Sequence, residues 1–243
     1  MTDTYRLAEK NIQVVSLFEA VHRYCRDYRC DVPPDFAVEI RPEDIAFERE
    51  RSAREDRTEG RAEKPYADEY LELLAVYRKI AERMPDYDTI LFHGSCVAVD
   101  GAAYLFAAKS GTGKSTHARL WRELLGERAV MVNDDKPLIR ITEEGPLVCG
   151  TPWNGKHRLG ANLAVPLRAL CVLERAEENR IVPLTPEEAR MPLLQQTYRP
   201  MDPAALGKTL ELLDRLAGSV KLYRLGCNMD PEAARLSYET MKG

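Results

Sequence analysis

Ala108-Lys109-Ser110-Gly111-Thr112-Gly113-Lys114-Ser115-Thr116 is the stretch of this chain that decides its fold. The apolar run Tyr104-Leu105-Phe106-Ala107 precedes it, and a helical pattern from His117 to Leu125 follows. A glycine-rich turn carrying Gly-Lys-Ser between a strand and a helix is the setting of a phosphate-binding loop. Glycines 111 and 113 let the backbone curl so that several N–H groups converge on one anion, and the helix N-terminus adds its positive end. Lys114 reaches the β- and γ-phosphates as a point charge, and the Ser115 hydroxyl is suited to Mg²⁺. The candidate nucleotide-binding set is therefore Ser110, Gly111, Thr112, Gly113, Lys114, Ser115 and Thr116. The strict pattern opens on glycine; here that position holds Ala108, still a small residue.

Downstream, Ala129–Val132 reads as a short strand ending at Asn133-Asp134-Asp135. Two acids at a strand end offer two services to a phosphoryl transfer, metal ligation and acceptance of a hydroxyl proton. Upstream, Asp100-Gly101 lies between the apolar runs Cys96–Val99 and Ala103–Ala107, the pattern of a tight hairpin. The strand entering the phosphate loop is thus an arm of an antiparallel pair, and the sheet is expected to be mixed. His93 follows the short strand Ile90-Leu91-Phe92. The loop Thr151-Pro152-Trp153-Asn154-Gly155-Lys156-His157-Arg158 carries cations suited to clamping phosphate.

Elsewhere the expectations are local. Ile12 to Tyr28 predicts a helix in its later half, Phe36–Ile40 alternates like a strand, and residues 48–64, dense in Glu, Arg and Asp, predict an exposed, partly mobile segment. Tyr70, Leu73, Leu74, Tyr77 and Ile80 predict an amphipathic helix over 66–84. Glu144-Gly145 marks a second hairpin, Ala169–Leu173, Ile181–Leu184 and Val220–Leu225 read as strands, and helices start at Thr185-Pro186, Asp202-Pro203 and Asp230-Pro231.

Composition bounds the function class. The 243 residues carry a formal charge of −4 with 44% hydrophobic and 30% charged residues, values of a globular protein with a core. A mildly acidic chain without a basic stretch argues against nucleic acid as partner. No apolar run approaches the roughly 18 residues that span a bilayer, and Met1 to Arg6 lacks a signal-peptide core, so no membrane association and a cytoplasmic location are expected. Six cysteines show no C-x-x-C pair, and the four at 96, 149, 171 and 227 read as buried thiols.

His93-Gly94 on a strand, a hairpin, Ser110 to Ser115, and an apolar strand ending in Asp134-Asp135 together resemble the HPr kinase/phosphorylase family, serine-kinase-like proteins allied to phosphoenolpyruvate carboxykinase. The resemblance spans roughly residues 90–240. Residues 1–85 carry no motif of the family and read from their own patterning as a small α+β N-terminal region; the resemblance implies an α/β fold, a mixed-sheet P-loop kinase core of that type over 86–243. It also implies transfer of the γ-phosphoryl group of ATP, with Mg²⁺, to a serine-like hydroxyl on a protein, peptide or small molecule. Asp134 becomes the leading proton acceptor and Asp135 its alternate and metal ligand with Ser115; His93 would lie near the transferring phosphate, with Lys156 and Arg158 as further candidates. The resemblance does not extend to the part after Asp135 with which HPr kinases grip their protein substrate. Competing readings are a non-catalytic ATP-binding sensor or assembly module, and carboxykinase-like chemistry using His93, Lys156 and His157. Oligomeric state is left open.

Overall fold

A computed structural model describes residues 1–58, 60–155 and 158–243. They form two compact units, Met1–Glu82 and Arg83–Gly243.

In the first unit, β1 (Thr2–Leu7) and β2 (Lys10–Val15) pair antiparallel, and β3 (Phe36–Glu39) joins β2 in parallel. The hairpin turn is Ala8-Glu9, both left-handed with φ of 48° and 61°, and it carries none of the Gly, Asn or Pro that announces a turn. The helix expected in the later half of 12–28 is confined to α1 (Ala20–Tyr24), because Ile12 to Val15 lie in β2. His22 ties α1 to the hairpin, with Nδ1 2.6 Å from the Tyr5 hydroxyl and Nε2 2.7 Å from Ser16 Oγ.

The charged segment 48–64 corrects the expectation of an exposed, partly mobile stretch. Most of it belongs to α2 (Pro42–Thr58), whose buried stripe is Ile45, Glu48, Ser52 and Asp56. The stripe is polar because its partner is cationic. Arg78 on α3 (Asp68–Arg83) donates to Glu48 at 2.5 Å and to Asp44 at 3.3 Å, and Lys79 reaches Asp44 at 2.6 Å. Helix α3 forms as expected, but its buried face is Leu71, Ala75, Val76 and Ile80, and Tyr70 is exposed. The shift follows from Glu72, fully buried to accept the backbone N–H groups of Leu17 and Phe18 at 2.5 and 2.9 Å.

The second unit is a mixed α/β structure. Its short outer strands are β4 (Thr89–Leu91), β8 (Leu138–Thr142) and β9 (Gly145–Cys149). The long strand β10 (Ala164–Arg175) follows, then β6 (Ala102–Ala107), β5 (Ser95–Val99) and β7 (Ala129–Asn133). Strand β12 (Lys221–Cys227) pairs with β10 and with β11 (Arg180–Pro183). As the Asp100-Gly101 signal predicts, β5 and β6 are antiparallel, while β10 runs parallel to both β6 and β12. Strand β10 pairs with β9 over Ala164–Pro166 and with β6 from Leu167 on, its register with β6 shifting between Leu167 and Ala169, and it pairs with β12 from Ala169.

Alternation along β6 sends side chains to two cores. Ala103, Leu105 and Ala107 pack with residues of α5 (Pro186–Gln196) and α6 (Pro203–Ser219). Tyr104 and Phe106 pack with Trp121 of α4 (Lys114–Leu125) and with Ala234 and Met241 of α7 (Pro231–Lys242). Thr185 completes a capping box with Glu188, and the Asp202 and Asp230 side chains cap α6 and α7. Strands β6, β10 and β12 all end at one edge of the sheet, where parallel α/β sheets hold ligands. Among the described residues, no helix is long and apolar enough to cross a membrane.

Ser237 pins α7 to α4: its Oγ accepts from Trp121 Nε1 at 2.8 Å and lies 3.0 Å from His117 Nε2. Ser237→Ala strands the buried indole N–H, and thermal or urea unfolding should read a loss of about 1–3 kcal/mol. A loss below about 0.5 kcal/mol would show that the pair does not stabilise this interface.

Candidate functional site

Strand β6 ends at Ala107, and α4 begins at Lys114 with its open N–H groups facing the turn between them. Gly111 and Gly113 carry φ of 78° and 126°, which is why side-chain-bearing residues are disfavoured there. The turn is held from outside as well: Arg175, the last residue of β10, donates to the Gly111 carbonyl at 2.5 Å. Lys114 is buried and donates to the Ala108 carbonyl at 2.8 Å. Burial, then the neighbouring Lys136 charge, pulls its ammonium down to about 8, with Asp135 acting the other way.

Strand β7 brings up the other half. Asn133 ends it fully buried, and both ends of its amide are used. Oδ1 accepts the backbone N–H groups of Asp135 and Lys136 at 2.9 and 2.7 Å. Nδ2 donates to the Thr151 hydroxyl and carbonyl at 3.0 and 3.2 Å, and the Thr151 hydroxyl donates onward to the Lys136 carbonyl at 2.7 Å. This Asx turn aims two neighbouring acids differently. Asp134, 6% exposed, accepts the Gly155 N–H at 2.6 Å. A Cβ on Gly155 would lie 2.7 Å from Asp134 Oδ2, so glycine is required for that approach. The Asp135 side chain, 35% exposed, has His93 Nε2 and Lys136 Nζ each 3.4 Å from its Oδ1.

His93 is held by its backbone. Phe92 N–H donates to Pro137, Gly94 N–H to Asp135 and His93 N–H to Gln196 at the end of α5, at 3.0, 3.0 and 2.7 Å. Burial first, then the Lys136 and Lys114 charges, pushes the imidazole down to about 4, against the opposing pull of Asp135 and Gln196. The ring is neutral at pH 7.

Two cavities flank the phosphate turn. One, about 430 Å³, lies on the α4 side among Gly113, Thr116, Leu120, Arg175, Asn228 and Met229. The other, about 380 Å³, lies on the α5 side among Ala108, Lys109, Glu174, Pro192, Gln195 and Gln196.

The structure thus brings together His93, Lys114, Asp134 and Asp135, with Ser115 exposed in the first turn of α4. Lys156 and His157 lie outside the described residues. The Arg158 backbone closes a turn onto the Gly155 carbonyl at 3.1 Å. Sequence reasoning gave no role to Asn133, Lys136, Thr151, Arg175 or Gln196. The asparagine opening an Asn-Asp-Asp run was a legible turn signal; Arg175 and Gln196 arrive from distant elements, and no local pattern announces them.

The family model for the SynChlorMet cassette protein ScmC matches residues 62–199. No curated protein matches the chain. A solved structure of the Hpr(Ser) kinase/phosphatase from Coxiella burnetii is similar at 10% identity, covering 63% of this chain and 99% of that one with a TM-score of 0.34, a likeness too distant to carry a functional reading.

Because the folded imidazole binds its proton at about 4, below the ordinary 6.5, the unfolded chain binds more protons between those values. His93 therefore contributes stability above pH 6.5 that is lost as pH falls towards 4. NMR of ¹⁵N-labelled imidazoles should show His93 neutral at pH 6, and His93→Gln should flatten the acid limb of the stability curve. A midpoint near 6.5 would refute the buried, cation-flanked environment.

Proposed function

The chain belongs to the SynChlorMet cassette protein ScmC family, and we propose that it is an ATP-dependent phosphotransferase acting on a serine-like hydroxyl. The observation that supports this most is the pairing at one sheet edge of a glycine-curled turn bearing a buried lysine with a rigid turn bearing two carboxylates. A nucleotide binder needs the first turn; the second supplies what transfer to a hydroxyl requires.

In this reading Ser110 to Thr116 cradle the phosphates, Lys114 neutralises them, and the α4-side cavity takes the nucleoside. Ser115 and the acids offer only oxygen donors, the set Mg²⁺ favours. Bound there, Mg²⁺ would neutralise charge on the phosphates.

The acceptor oxygen attacks the γ-phosphorus, the bond from that phosphorus to the β–γ bridging oxygen breaks, and ADP leaves. We assign the hydroxyl proton to Asp135, the alternate in the sequence reading, in place of the leading candidate Asp134, because its carboxylate is the more exposed of the two and borders His93. Asp134, engaged by Gly155 N–H, holds the loop that follows β9. Neutral His93 offers an N–H without competing for the proton. The acceptor is a serine-bearing peptide or protein, or a small hydroxylated molecule.

Lys114→Ala should abolish Mg-ATP binding by calorimetry. Asp135→Asn should keep nucleotide affinity within a few-fold and slow transfer by about 10²–10⁴-fold, read by phosphorus NMR with free serine, HPr and serine-ended peptides. Tight ATP binding with no phosphoester from any acceptor would favour a sensor module instead.

A further inference from the structure

Lys136 has a fixed backbone and a charged end with little to neutralise it. Two fully buried side chains set its main chain: Asn133 takes its N–H at 2.7 Å, and the Thr151 hydroxyl donates to its carbonyl at 2.7 Å. Its Nζ approaches Asp135 Oδ1 at 3.4 Å, the oxygen that His93 Nε2 also approaches at 3.4 Å. The turn that follows β7 therefore sets a cation beside the Asp135 carboxylate and in the same cluster as His93, on a main chain fixed by two buried side chains. An anion brought to that carboxylate meets this cation as well.

We propose that Lys136 is a second phosphate-binding cation of the site, which grips the terminal phosphoryl group of the donor from the Asp135 side while Lys114 grips it from the loop. The inference rests on the phosphotransferase reading and adds to it a residue and a specificity: preference for a nucleoside triphosphate over its diphosphate. Lys114 belongs to the loop that cradles every phosphate, so it serves both nucleotides. Lys136 comes instead from the turn after β7, beside the carboxylate assigned to the acceptor proton, so in this reading it meets the terminal phosphoryl group alone.

The test is calorimetric binding of Mg-ATP and Mg-ADP to wild type, Lys136→Met, Lys136→Arg and Lys114→Met, each checked for native unfolding temperature. Lys136→Met should weaken ATP about ten- to a hundred-fold, the worth of a charge-assisted hydrogen bond, and leave ADP within about twofold. Lys136→Arg should restore part of the preference. Lys114→Met should weaken both nucleotides. Equal loss for ATP and ADP in Lys136→Met, or loss for neither, overturns the inference. Undiminished binding in Lys114→Met overturns the phosphotransferase reading instead. Should Lys136→Met unfold, Lys136→Gln is read by the same two affinities.

Discussion

The amide of Asn133 is the interaction on which the acidic half of the site depends. It is fully buried, and its oxygen and nitrogen together make four hydrogen bonds, to two backbone N–H groups and to both oxygens of Thr151. A buried amide with every bond made costs little, and one left partly unmade costs about 1–3 kcal/mol. That asymmetry leaves the 133–136 turn one good geometry. Within it, consecutive carboxylates take different partners, a backbone N–H for Asp134 and a histidine and lysine for Asp135.

The same turn also sets the local charge. Lys114 and Lys136 each sit in the other's field, and His93 stays uncharged because both cations and burial disfavour its proton. Such preorganisation stabilises an anion at little cost in rearrangement, which is why fixed charges in a partly buried site exceed the same charges in water.

Much of the second unit was legible because its signals are local. Asp100-Gly101 names a hairpin, and its φ values of 50° and 80° are those the turn demands. Thr185, Asp202 and Asp230 announce helices by capping chemistry that needs only neighbours in sequence. The turn between β6 and α4 declared itself through glycines that the backbone does bend positively. What escaped was non-local or unusual in polarity. The first hairpin turns on Ala8-Glu9, residues with no turn preference. Helix α2 hides charge, so apolar periodicity could not find its inner face; that face makes sense only once Arg78 and Lys79 arrive from α3. Arg175 and Gln196 reach the site across the sheet, as parallel topology requires and as sequence spacing cannot express.

Strand β10 changes partners within its own length. One continuous strand is paired with β9, the strand that leads into Thr151, over Ala164–Pro166 and with β6, the strand that enters the glycine turn, from Leu167 on, with a register shift just after that first pair. At the shift itself Arg168 is clamped to the Lys242 carbonyl at the end of α7, at 2.8 and 3.1 Å. One strand thus ties together three distant parts of the chain, the hairpin that leads into Thr151, the strand that enters the glycine turn and the C-terminal end of α7, so that the two loops are joined through continuous backbone and not only through side chains.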